Sequence, residues 1–305
     1  MKKLIFIYGS FIFLLTSCTT KRYLFTSFHE PANEGLRYLY SMDGKNWEAV
    51  DTVLLKPAIG KQKVMRDPSI ARGEDGIFHL VWTSSWQGDK GFGHASSKDL
   101  IHWSEQEFIP VLQDEPIVVN TWAPEIYYDK DSSRYIIVWA SCIPGRFDRG
   151  IEADSNNHRL YYTETKDFKS FTPSKLFLDP GFSVIDAEIV QRGLHDYVLV
   201  LKDNTRPERN IKVAFGETPL GPWKNISKPF TEKFTEGPSV LRKDNEWLIY
   251  FDAYQAKKYS AVSTKDFIHF SPVLNDTSIP EGHKHGTIVE VTGRDIKRLL
   301  KAVRK

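Results

Sequence analysis

Cysteine is almost missing from this chain. Cys18 and Cys142 are the only two in 305 residues, too few for a disulfide framework. Neither sign of charge is in excess, with 41 Lys and Arg against 39 Asp and Glu, a formal +2. A surface that close to neutrality lacks the basic field that nucleic-acid partners require, and it leaves neutral ligands such as sugars open. No strong amphipathic helix precedes residue 294. What is present is ordinary for a folded chain: 41% hydrophobic, 26% charged and 13% aromatic residues. That balance excludes disorder and fibrous repeats, and the length is ample for a buried core.

The N-terminus reads as an export address. Lys2 and Lys3 precede a nearly unbroken apolar run from Leu4 to Leu15, too short and too asymmetric for an ordinary membrane span. It ends in Leu15-Thr16-Ser17-Cys18, which resembles a lipoprotein box. Residues 1–17 are therefore expected to be a signal peptide, with Cys18 the lipid-bearing N-terminus and 18–22 a tether. Loss of Lys2 and Lys3 leaves 39 basic and 39 acidic residues. The expected location is the outer membrane on its periplasmic side, because no Asp and no acidic run follow Cys18. Cys142 is expected to be a small buried apolar residue.

The remainder repeats. A turn with Asp is followed four residues later by an aromatic: Asp43 and Trp47, Asp99 and Trp103, Asp167 and Phe171, Asp266 and Phe270. The variant Thr218-Pro-Leu-Gly-Pro-Trp223 fills the gap. The spacing averages about 56 residues, suited to four-stranded blades. Interleaved with it are strands rich in β-branched and aromatic residues, at Phe78–Thr83, Tyr135–Ala140, Tyr197–Leu201 and Trp247–Asp252. Each is preceded by a tight turn and by a second short strand with a related start. Those starts are Arg66-Asp67-Pro68-Ser69, Trp122-Ala123-Pro124-Glu125, Ile185-Asp186-Ala187-Glu188 and Glu236-Gly237-Pro238-Ser239, with Lys284-His285-Gly286-Thr287 near the end. Five related starts predict an all-β fold, a five-bladed β-propeller over residues 23–292. Tyr23–Phe28 and His285–Val291 are expected to share the closing blade. Residues 293–305 read as a short basic C-terminal helix, with Ile296, Leu299, Leu300 and Val303 on one face. It suits a packing element, or a face resting on anionic lipid.

Inner strands of a propeller line its axial funnel, and these starts carry Asp67, Asp186, Glu236 and His285 at or beside one register, with Glu125 two residues beyond Ala123. Crowded carboxylates perturb one another, a mark of active sites. Paired carboxylates with aromatic walls are what glycoside hydrolysis needs: one protonates the leaving oxygen, the other activates water. Trp86 and Trp122 flank inner-strand or loop positions and are candidates to stack on a sugar. Trp82, Trp139 and Trp247 lie inside strands and read as core. Arg146, Arg149, Arg206 and Arg209 sit in candidate specificity loops.

From about Tyr23 to Val291 the chain resembles glycoside hydrolase family 43, whose members are five-bladed propellers acting as inverting arabinofuranosidases, xylosidases, arabinanases and galactosidases. The resemblance rests on Arg66-Asp67-Pro68-Ser69, Trp122-Ala123-Pro124-Glu125, Ser183-Val184-Ile185-Asp186 and Glu236-Gly237-Pro238, in that order. It implies Asp67 as general base, Asp186 as the modulating acid and Glu236 as general acid, with Glu125 and His285 among substrate-binding residues. Asp67 is then expected to be ionised, and Glu236 protonated under the influence of Asp186. Lys284 stands where many members have Arg, and it lacks the planar guanidinium fork. No cofactor is required. A structural calcium near the axis is compatible with the family, with a neutral His285 acting through water, since calcium prefers oxygen ligands. The implied substrate is an oligosaccharide or polysaccharide of plant type, cleaved from its end, with arabinofuranosides and xylosides ahead of galactosides. A non-catalytic carbohydrate-binding propeller is the rival reading.

Overall fold

A computed structural model describes residues 21–273 and 277–304; the expected signal peptide and Cys18 lie outside them. Five antiparallel sheets make up the described chain. The first is β4 (Arg66–Arg72), β5 (Phe78–Thr83), β6 (Gly91–Ser97) and β7 (Glu107–Pro110). The second is β8 (Trp122–Asp129), β9 (Arg134–Cys142), β10 (His158–Thr165) and β11 (Lys175–Leu178). The third has three strands, β12 (Val184–Gly193), β13 (Asp196–Asp203) and β14 (Asn210–Gly216). The fourth is β15 (Glu236–Lys243), β16 (Glu246–Ala253), β17 (Lys258–Thr264) and β18 (Phe270–Pro272). The fifth joins the two ends of the chain: β19 (Ile288–Thr292), β1 (Lys21–Ser27), β2 (Leu36–Ser41) and β3 (Trp47–Leu55).

The first-named strands touch in the order β4, β8, β12, β15, β19 and back to β4. That cycle is the wall of the funnel, and the fold is a five-bladed β-propeller. Closure is by β1 on β19, with Leu24 opposite Val289 and Phe25 opposite Ile288. The strand begins at Lys21, so the last two residues of the expected tether already belong to the closing blade. Blade three departs from four regular strands. Its outer edge is an irregular segment in which Lys224 exchanges two backbone hydrogen bonds with Phe215, and Ser227 and Phe230 donate to Val213 and Ile211. Pro222 and Pro229 supply no N–H there, which prevents a regular ladder.

The repeated Asp builds the turn between the third and fourth strands of a blade. Its carboxylate accepts two successive backbone N–H groups, from Lys45 and Asn46 at Asp43, and from Ile101 and His102 at Asp99. Asp167 and Asp266 do the same. Each is an Asx turn, in which the side chain substitutes for a backbone acceptor.

Apolar clusters fill the wedges between adjacent blades rather than one central core. Trp82 and Trp139 are fully buried, as their place inside strands predicts. Helix α1 (Gly293–Val303) is capped by Thr292 and Asp295 in a reciprocal capping box. Ile296 and Leu299 bury against Leu24, Leu36, Tyr38 and Val50, so the helix packs on the closing blade. Burial of each such side chain contributes roughly 1.5–3 kcal/mol. Cys142 is free and buried.

Candidate active site

The inner strands share a local distortion that the sequence pattern alone does not reveal. Each of four begins with a bulge, between Arg66 and Ser69, Trp122 and Glu125, Ile185 and Glu188, and Glu236 and Ser239. Inside each bulge one residue takes a left-handed conformation: Asp67 (φ 51°), Ala123 (44°), Asp186 (50°) and Gly237 (58°). A non-glycine residue there costs roughly 1–2 kcal/mol. Bulges re-aim side chains at the rims of sheets and beside active sites, and here they turn Asp67 and Asp186 toward the axis. Gly237 has a second constraint. A Cβ on it would lie 2.4 Å from Cγ of His285, so the imidazole packs directly on the glycine.

The blades are locked to one another just beyond these bulges. Ile126 N donates to Ser69 Oγ at 3.1 Å, Val240 N to Glu188 Oε2 at 2.9 Å and Ile288 N to Ser239 Oγ at 2.9 Å. Glu125 crosses from blade two to blade five, where its Oε2 accepts from Thr287 Oγ1 at 3.2 Å. Burial pushes its carboxyl up to about 7, against the opposing influence of Ser69, His285 and Thr287. Neighbouring Glu188 is raised well above the usual range by burial and by Glu125. Glu125 is thus a half-buried inter-blade tie, and Glu188 is a further axial acid that the sequence reading did not single out.

Asp67, Asp186, Glu236 and His285 do converge. His285 Nδ1 lies 3.3 Å from Asp67 Oδ1. The other Asp67 oxygen accepts from Thr83 Oγ1 at 3.0 Å, and Thr83 in turn accepts from Ala123 N at 2.8 Å. Asp186 Oδ2 accepts from Gly237 N at 3.1 Å. Glu236 Oε2 lies 2.7 Å from Lys202 Nζ. Lys202 comes from β13, one strand behind the funnel wall, and its side chain is only 4% exposed. Lys284 reaches Asp252 at 2.9 Å rather than Asp186.

These contacts set the charges. Burial favours the neutral form of Asp67, but His285 and Arg66 outweigh it and hold the carboxyl below its ordinary value. Burial raises Asp186, and the nearby carboxylates add to this; His285 and Lys202 only partly oppose it. Burial would deprotonate His285, yet Asp186, Asp67 and Glu236 together push it up to about 9. The expectation of a neutral His285 acting through water is therefore corrected: it is an imidazolium paired to Asp67. The expected protonation of Glu236 is also reversed. Burial favours the neutral acid, but Lys202 prevails and the carboxyl lies below its ordinary value.

A calcium near His285 does not fit these residues. The imidazolium has no lone pair to offer and repels a cation, and among the described residues no three His, Cys, Asp or Glu side chains converge as metal ligands.

The aromatic wall stands beside Arg66. Its guanidinium lies 4.9 Å from the Phe28 ring centroid and 4.5 Å from that of Trp86, and it pairs with Glu30 at 2.5 Å. Trp86 is 44% exposed, and its ring lies 4.6 Å from Trp122. Trp122 donates its indole N–H to Trp86 O at 2.7 Å and stacks on His158. The sequence candidates Trp86 and Trp122 are thus brought together, with Trp86 presenting an open face. Trp247 packs on Phe267 and Arg242 away from this wall. Of the candidate loop arginines, Arg146 pairs with Glu115 at 2.6 Å and Arg206 with Glu152 at 3.6 Å, while Arg149 lies 3.7 Å from Asp154.

Comparison with known proteins agrees with this architecture. A segment of 156 residues is 31% identical to an α-L-arabinofuranosidase of Bifidobacterium longum subsp. longum, covering 44% of this chain and 14% of that much longer protein. The crystal structure of an endo-1,4-β-xylanase from Bacteroides thetaiotaomicron superposes with a TM-score of 0.60 at 14% identity, over 88% of this chain and 94% of that one. An α-L-arabinofuranosidase from Lactobacillus brevis gives 0.53 at 18%, over 68% and 72%. Such low identities establish the fold alone. The family model described as a probable glycosyl hydrolase domain, related to glycoside hydrolase family 43, matches residues 19–297, a span that contains every strand of the propeller, and the chain belongs to that family.

Proposed function

We propose that the protein is an exo-acting, inverting glycoside hydrolase of plant-type oligosaccharides or polysaccharide side chains. The observation that carries this is the meeting of Asp67, Asp186 and Glu236, from three different blades, around the His285 imidazolium. Asp67, ionised and fixed by Thr83 and His285, is the base that takes a proton from the attacking water. Glu236 is the acid that gives a proton to the leaving oxygen. Asp186, held by Gly237 N–H, adds negative charge beside Glu236 and His285 and contacts the sugar. Trp86, backed by Trp122, offers an apolar face to the sugar ring. No cofactor takes part.

α-L-Arabinofuranosides are the first substrates to test, on the strength of the related segment of the Bifidobacterium enzyme, followed by β-xylosides and β-galactosides. A single displacement by Asp67-activated water inverts the anomeric centre. Proton NMR of the first-formed sugar should therefore show the opposite anomer before mutarotation. A product of retained configuration would require a covalent intermediate and exclude this assignment.

We further propose that the protein is a lipoprotein anchored through Cys18 to the outer membrane, facing the periplasm. Lys2, Lys3, the apolar run and Leu15-Thr16-Ser17-Cys18 support this. Cys18→Ala should move the protein from the membrane to the soluble fraction; an unchanged distribution would rule the anchor out.

A further inference from the structure

Among Asp67, Asp252, Glu236 and Asp186, three lie within ion-pair distance of a cation and one does not. Asp67 has His285, Asp252 has Lys284 and Glu236 has Lys202. Asp186 has none within ion-pair distance and relies on the Gly237 N–H. Among these cations Lys202 is the most enclosed. Its ammonium faces the Tyr254 ring, 5.2 Å from the centroid, and Glu236 is its hydrogen-bond acceptor. Glu236 itself is 31% exposed, so a ligand entering the funnel meets the carboxylate while Lys202 stays behind it.

From this geometry we infer that Lys202 is a positioning residue that clamps Glu236 as a carboxylate in the substrate-free funnel and thereby sets the upper pH edge of activity. The inference rests on the reading of Glu236 as the general acid. A lysine pressed against a general acid works against the proton that the acid must carry. The other groups facing Glu236 do not supply the clamp. From β12 Asp186, and from β4 Asp67, act in the opposite sense. From β16 Asp252 is occupied by Lys284, and Tyr259 on β17 is neutral, with its pKa raised well above the ordinary value by burial. His285 is shared among three carboxylates, and Arg66 is tied to Glu30. Lys202 is the one cation hydrogen-bonded to Glu236 alone. The Glu236 pKa, lowered despite burial, agrees with that geometry.

The test compares Lys202→Met, which keeps the length and apolar stem but removes the charge, with Lys202→Arg, which keeps the charge. An opposite charge at this distance shifts a carboxyl by about 1–3 units. For a glycoside with a poor leaving group, Lys202→Met should move the basic limb of the kcat/KM profile upward by about that amount. Lys202→Arg should leave it near the wild-type position. A nitrophenyl glycoside, which needs little proton donation, should show a much smaller change. A basic limb that stays in place or moves downward in Lys202→Met would overturn the inference. Carbon-13 NMR titration of the Glu236 carboxyl gives a readout independent of turnover and of whether the methionine variant folds. In the wild-type protein it should titrate below the ordinary glutamate range, and a midpoint at or above that range overturns the clamp. If the carboxyl titrates low but no glycoside is cleaved, the clamp stands and the assignment of Glu236 as the acid fails.

Discussion

Glu236→Ala is expected to lower hydrolysis of a glycoside with a sugar leaving group by about 10²–10⁴-fold, the usual worth of a positioned general acid. On a nitrophenyl glycoside the loss should be far smaller, because nitrophenolate departs without help from a proton. Alanine also strands Lys202, whose ammonium is buried and hydrogen-bonded to Glu236. Glu236→Gln is therefore the necessary companion: its amide oxygen still accepts from Lys202, but the side chain has no carboxylic proton to give. The two variants should show the same dependence on leaving group, measured as kcat for the paired substrates. Equal losses on both substrates would remove Glu236 from the acid role.

Asp67→Ala is expected to behave differently. Water must be activated whatever group departs, so both substrates should lose about 10²–10⁴-fold. The bulge that carries Asp67 also brings Thr83 and Ala123 together, and a loss of structure would imitate a loss of catalysis. Asp67→Asn answers this, since its amide oxygen still accepts from Thr83 and the amide cannot serve as a base. Near-UV circular dichroism would confirm that the fold is retained. An Asn or Ala variant that cleaves the nitrophenyl substrate at close to the wild-type rate would show that the base lies elsewhere.

The two expectations differ because the two carboxylates have different partners. Asp67 shares His285 with Asp186 and Glu236, so its base form is stabilised by a cation that the whole site holds in common. Glu236 is the carboxylate hydrogen-bonded to Lys202. Its proton must be taken up against that charge, which makes the acid the more pH-sensitive half of the pair.

The architecture was legible in the sequence because propeller repeats are local. An Asx turn needs one Asp and its next three residues, and four of the five strand starts carry a Pro or Gly at a place that owes no ladder hydrogen bond. Both recur in register, and the recurrence led to five blades, to closure between Tyr23–Phe28 and His285–Val291, and to the meeting of Asp67, Asp186, Glu236 and His285. Trp86 and Trp122 are candidates from their inner-strand or loop positions, and the structure brings the two rings together. The bulges and left-handed residues that aim Asp67 and Asp186 were not legible, because neither residue type demands that conformation. Nor was the inter-blade tie of Glu125 to Thr287, which are 162 positions apart. Lys202 reads in sequence as the charged end of an apolar strand, and its partner lies 34 residues away on the next blade. Coulomb interaction depends on distance through space and on the solvent excluded between the charges, and no spacing along the chain encodes either. Hence sequence alone led to the fold and to the meeting of the acids. Only the tertiary packing decided the charges: β13 sets Lys202 against Glu236, three blades bring their carboxylates around His285, and β16 offers Asp252 to Lys284.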